Sequence, residues 1–211
     1  NSLKGFGIEG LKLGIIAAGS IFAYLVEDTH HALLQHITKI QLIPQDDYLM
    51  MDNFTLRNLE IVYPSNPQGK SLLDIIDKTA TPMGGRLLRR RLILPLKSVD
   101  EINRRLNLIE FFNKEDHLKY EIQQLLKSIS DLDRLMGKLA SEKISPKELG
   151  YLRHSLMNIH QIKALLHPFD EILAWLEPLN NLEEIINYLV NYLTEELPVN
   201  IAKGNVIKSG I

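Results

Sequence analysis

Apolar residues recur along this chain mostly at three- and four-residue intervals, and that spacing predicts helices. The stretch LKLGIIAAGSIFAYLVEDTHHALLQHI, from Leu11 to Ile37, carries it for several turns and is apolar almost all round at first. Its first half is therefore expected to be buried. IPQDD then breaks it. YLMMDNFTLRNLEIVY, residues 48–63, reads as one or two short strands. Beyond it lie helical runs with clear starts. Thr81 precedes a proline suited to the first helical position. Ser98 with Glu101 and Ser145 with Glu148 form capping boxes. The first box opens a helix to about Asn113, the second one to about Leu166. HLKYEIQQLLKSI and DLDRLMGKLASE lie between them; FDEILAWLE and NLEEIINYLVNYLTEE follow, and GNVIKSGI looks like a strand fragment. The fold class is mainly α, with a few short strands near residues 48–63 and at the C-terminus.

Composition narrows the chemistry. With 211 residues the chain can bury a substantial core. A formal net charge of −2, from 24 Lys+Arg and 26 Asp+Glu, makes the whole chain no electrostatic trap for nucleic acid. The absence of cysteine excludes disulfides and thiol catalysis and is compatible with a cytoplasmic setting. The most apolar stretch is too short to span a bilayer. The chain begins NSLKGFG without Met and stops at VIKSGI, so it is expected to be a piece cut from a longer protein.

Four constellations invite a chemical reading. Gly69-Lys70-Ser71 ends like a phosphate-binding loop, but Pro64 stands where that loop needs glycine, and Pro67 removes another donor. A turn followed by a helix opened by Ser71 accounts for the same residues. His30, His31 and His36 lack the i, i+4 spacing that puts two metal ligands on one helix face. In RLLRRR, Arg86, Arg89 and Arg90 share one face; they are candidates for phosphate contact or for pairing with carboxylates. Arg91 falls between Leu87 and Leu88. Asp131 and Asp133, two apart, should face away from each other, with Asp131 a helix cap. No Ser-His-Asp order, zinc motif or dinucleotide loop emerges, so the chain reads as non-catalytic.

An ordered series of motifs resembles the MutS family of DNA mismatch-recognition proteins. Met51-Asp52, Thr55 with Asn58-Leu59-Glu60, Ser71-Leu72-Leu73, Asp77 with Thr79, Thr81 with Met83-Gly84, Arg86-Leu87-Leu88 and Pro95-Leu96 follow the start of its core domain. IEFF and DLDRLMGKLASEKISPKELGYLRHSL match the helices that come next, and GNVIKSGI the entry to its clamp domain. SLKGFGIEGLKLGIIAAGSIFAYL is similar to the end of the connector domain. The resemblance implies that residues 1–44 end the connector and link it to the core, and that 45–211 are the first segment of a multi-helical core, or lever, domain. Thr81, Pro82, Met83, Asp131 and Arg134 then become candidates for structure or signal transmission. It implies a longer DNA-dependent ATPase using ATP and Mg, with mismatched double-stranded DNA, a second copy of itself and a MutL-type repair protein as partners, in a bacterial cytoplasm. The family's mismatch-reading Phe-x-Glu and its intact nucleotide loop do not occur here. Many members carry Trp where this chain has Arg91. A free-standing helical interaction domain of the same ancestry is the alternative.

Overall fold

A computed structural model describes residues 11–28, 47–179 and 182–210. They are mainly helical: α1 (Lys12–Ala23), α2 (Asn53–Asn58), α3 (Leu72–Ile76), α4 (Pro82–Ile93), α5 (Val99–Lys114), α6 (Asp116–Lys127), α7 (Leu132–Ala140), α8 (Pro146–Leu166), α9 (Leu173–Leu176) and α10 (Leu182–Tyr192). No helix among the described residues is long and apolar enough to cross a membrane.

The starts expected from sequence are formed by the hydrogen bonds that define them. Thr81 accepts the Gly84 N–H at 3.0 Å with Pro82 in the first turn. Ser98 accepts the Glu101 N–H at 3.4 Å, one arm of the expected box. At Ser145 both arms are present: its hydroxyl accepts the Glu148 N–H, and the Glu148 carboxylate accepts the Ser145 N–H at 3.0 Å. The helix that follows runs unbroken for 21 residues, about 30 Å.

The strands expected over 48–63 do not form. Asp52 accepts the Thr55 N–H at 2.7 Å and nucleates α2 instead. Ile61 and Val62, adjacent in sequence, are both buried, which a strand with one open face cannot achieve. What remains of β structure among the described residues is two isolated antiparallel bridges, Tyr48 with Leu96 and Leu193 with Ile207. The second lies where the C-terminal strand fragment was expected.

Two apolar clusters share α8. The larger joins Phe111, Leu118, Ile122 and Ile129 to Ile162, Leu166, Ile172 and Leu176. Phe111 meets both Phe112 and Phe169 edge to face at 5.1 Å. The smaller joins Leu135 to Leu152 and Leu156, with Leu182, Ile186 and Leu189 of α10 against them.

The expected burial of the first long helix does not hold over α1. Leu13, Ile16 and Ile21 are exposed and no α1 residue is buried. An apolar periphery disposes a helix to burial; only a neighbouring surface can bury it. Beyond Asp28 that stretch, with His30, His31 and His36, lies outside the described residues. Helix α5 shows a second open face: Val99, Ile102, Leu106 and Ile109 follow a 3-4-3 spacing and are 37–67% exposed, while Leu108, Phe111 and Phe112 point into the core.

Two outcomes follow from this packing. The isolated chain is expected to self-associate through its open apolar faces, seen as a weight-average mass that rises with concentration in light scattering; a strict monomer at high concentration contradicts it. Acid sensitivity is the second. The Lys138 ammonium and the Ser145 N–H and hydroxyl hold the Glu148 carboxyl down at about 2, from 4.5. A depressed carboxylate stabilises fully above its unfolded pKa and loses that contribution as pH falls toward the folded one. Glu148→Gln is therefore expected to flatten the denaturation midpoint between roughly pH 4.5 and pH 2, measured by urea titration at stepped pH.

Candidate functional site

The loop before α3 settles the fate of Gly69-Lys70-Ser71. A phosphate nest needs free backbone N–H groups at the helix start. Here the Leu72 N–H donates to the Glu60 carbonyl at 2.9 Å and the Leu73 N–H to the Ile61 carbonyl at 3.0 Å. The Gly69 N–H donates to the Asn66 carbonyl at 2.8 Å. Ser71 is fully buried and closed into a capping box with Asp74, whose carboxylate accepts both the Ser71 N–H and hydroxyl. The N–H groups of Gly69, Ser71, Leu72 and Leu73 are thus bonded within the chain rather than offered to a phosphate.

The basic run on α4 is divided by its neighbours. Arg86 grips Asp131 with two parallel hydrogen bonds, at 2.9 and 2.7 Å, and Asp133 with a third at 2.6 Å. Its guanidinium holds the Asp131 carboxyl below the usual range. The sequence expectation that Asp131 and Asp133 face apart is corrected. Asp131 is the cap of α7, with extended rather than helical backbone, so its side chain swings back and meets that of Asp133 over one cation. Arg89 donates to the Tyr63 hydroxyl at 2.7 Å. Arg90 is exposed. Arg91 lies near Arg105, and burial together with that neighbouring charge lowers its pKa.

The transmission candidates fall into one region. Thr81 and Pro82 open α4, and Met83 packs on the larger cluster. A Cβ at Gly84 would stand 3.1 Å from the Thr81 Oγ1 and 3.2 Å from the Thr79 Cβ, so a side chain there would have to push these neighbours aside. Asp131 ties α7 to α4 through Arg86; Arg134 donates its N–H to Asp131 at 3.4 Å, and its side chain is exposed. Among the described residues no cluster of His, Cys, Asp and Glu could hold a metal ion.

Sequence reasoning missed the polar contacts of α8. Ser155 is fully buried; its hydroxyl accepts the Ser130 N–H at 3.0 Å and donates to the Tyr151 carbonyl at 2.7 Å. Buried Asn158 donates to the Ser128 hydroxyl at 2.7 Å. Together they fasten the α6–α7 turn to the middle of α8. Arg153 reaches the other way, to the carbonyls of Leu193, Thr194 and Glu195 beyond α10. The available signal was two polar residues at i, i+3 on a helix face otherwise lined by Leu152, Leu156 and Ile162.

Comparison with known proteins gives the family. Residues 54–209 match the family model for MutS domain III. The chain is 46% identical over 213 residues to a protein of Flavobacterium johnsoniae, 41% over 212 residues to one of Bacteroides thetaiotaomicron and 40% over 211 residues to one of Cytophaga hutchinsonii, each named DNA mismatch repair protein MutS. The alignments cover 99–100% of this chain and 24% of each relative. The chain thus spans about a quarter of the length of these relatives.

Replacing Ser155 by Ala is expected to destabilise the chain by about 1–3 kcal/mol, because the Ser130 N–H loses its acceptor in a buried setting. Denaturant unfolding measures it. A change within a few tenths would mean that the amide finds another partner at no cost.

Proposed function

Because the chain belongs to the MutS family, over its domain III, we propose that it is the structural, signal-transmitting first segment of the core of a DNA mismatch-recognition ATPase. In this reading the longer protein acts in DNA mismatch repair. It binds mismatched duplex DNA, uses ATP and Mg outside this segment, works as a dimer in the cytoplasm and engages a MutL-type partner. Residues 1–44 end the preceding connector, and the segment from 45 to 211 leads to the clamp.

The observation that carries the reading is α8. One unbroken helix of 21 residues contacts α6, α7, α9 and α10, and buried hydrogen bonds from Ser155 and Asn158 fix its middle. A bar held in this way moves as a unit and displaces both of its ends. Coupling between two distant sites requires an element whose arrangement both sites bias, and a rigid helix with two cores on it supplies one. The open faces of α1 and α5 support a larger parent, in which other helices cover them.

The basic face contributes less than its sequence suggests. Arg86 is committed to two carboxylates and Arg89 to Tyr63. Of the three DNA-contact candidates, Arg90 is the one best placed for a phosphate, and such a contact would be salt-sensitive and blind to sequence.

Two assays test the proposal together. Alone, the chain is expected to release no phosphate from ATP and to bind matched and mismatched duplexes alike in fluorescence anisotropy. The full-length protein carrying it is expected to prefer the mismatch and to lose that grip on adding ATP. A mismatch preference of about tenfold or more in the chain alone, about 1.4 kcal/mol, would make it a sensor and overturn the transmitter reading. A parent that ignores both mismatch and ATP would favour a free-standing interaction domain.

A further inference from the structure

We infer that Arg153 is the positioning residue through which α8 carries its movement to the C-terminal segment, residues 193–208. The inference deepens the proposed function and rests on it for one of its two readouts.

Just beyond α10 the carbonyls of Leu193, Thr194 and Glu195 are gathered by a single guanidinium: Arg153 Nη1 donates to Leu193 at 3.3 Å and to Thr194 at 2.9 Å, and Nη2 to Glu195 at 3.0 Å. A cation there also meets the negative end of the α10 dipole. Two of these residues, Leu193 and Thr194, also anchor residues 205–208. The Thr194 N–H donates to the Val206 carbonyl at 3.1 Å and the Lys208 N–H to the Tyr192 carbonyl at 3.0 Å, closing the Leu193–Ile207 bridge. The Thr194 hydroxyl donates to Asn205 at 2.8 Å and the Lys208 ammonium to Val190 at 2.8 Å.

One turn below Arg153, a Cβ at Gly150 would lie 3.0 Å from the Leu197 Cδ1. The glycine that weakens α8 as a helix thus lets the 193–208 segment press close against it. Arg153 and Gly150 sit on successive turns and face the same loop. The contact is one of fork geometry: it is shared between two guanidinium nitrogens, and a lysine, with all its donors on one atom, does not reproduce it.

The test compares wild type, Arg153→Ala and Arg153→Lys in the full-length protein that carries this chain. By hydrogen exchange, Arg153→Ala is expected to speed exchange at the Thr194 and Lys208 amides by roughly tenfold, with α6 unchanged and the lysine variant in between. Mismatched-duplex binding without ATP is expected to stay at the wild-type level, while the loosening caused by ATP shrinks by about tenfold. Unchanged exchange overturns the inference. Faster exchange with an undiminished ATP effect also overturns it, leaving Arg153 a local pin. Should the alanine variant not fold, the lysine variant decides, since it keeps the charge and loses the fork. If wild type itself shows no ATP effect on DNA, the proposed function fails, and the exchange result still decides whether Arg153 holds the segment.

Discussion

The hydrogen bond from the Ser130 N–H to the Ser155 hydroxyl lies where the two cores of this chain meet. On one side of it Ile162 and Leu166 pack with α5 and α6; on the other, Leu152 and Leu156 pack with α7 and α10. A helix serving two cores must not slide between them. Apolar contacts alone tolerate a shift along the axis, because leucine side chains re-pack at small cost. A buried serine and asparagine, each with a fixed partner, do not. They set the register of α8 against the α6–α7 turn, and the rest of the packing is built outward from there.

That constraint gives the helix its mechanical character. Tied at its middle by Ser155 and Asn158, begun by a complete capping box and joined through Lys138 and Glu148 to α7, it has few ways to bend. Its N-terminal half faces α7, α10 and the carbonyls of residues 193–195, its C-terminal half the larger core. Several polar groups fasten elements together. Arg86 joins α4 to α7, Ser71 closes a turn, and Asp131 is at once a cap and an anchor.

The open faces have a different origin. Val99, Ile102, Leu106 and Ile109 repeat with the period of a helix seam, and α1 is apolar on most sides. Sequence pattern declares such faces apolar. Whether they are buried depends on what else is present, and the chain spans only 24% of its relatives' length.

Local chemistry therefore made much of this protein legible in its sequence. Helix starts at Thr81, Ser98 and Ser145 depend on groups three residues apart, and the run from Pro146 to Leu166 needs only periodicity. The turn that replaces a phosphate loop was legible in Pro64 and Pro67. Family membership was legible in an ordered series of motifs. Tertiary structure alone decided the rest, because those decisions join residues far apart in sequence. Arg86 meets Asp131 across 45 positions, Ser155 meets Ser130 across 25, and Arg153 meets Glu195 across 42. Residues 48–63 read as strands since alternation is visible and the partner is not. From Leu56 to Ile61 that backbone satisfied N–H groups within the segment instead, with Asp52 nucleating a short helix and Ile61 and Val62 both turned inward.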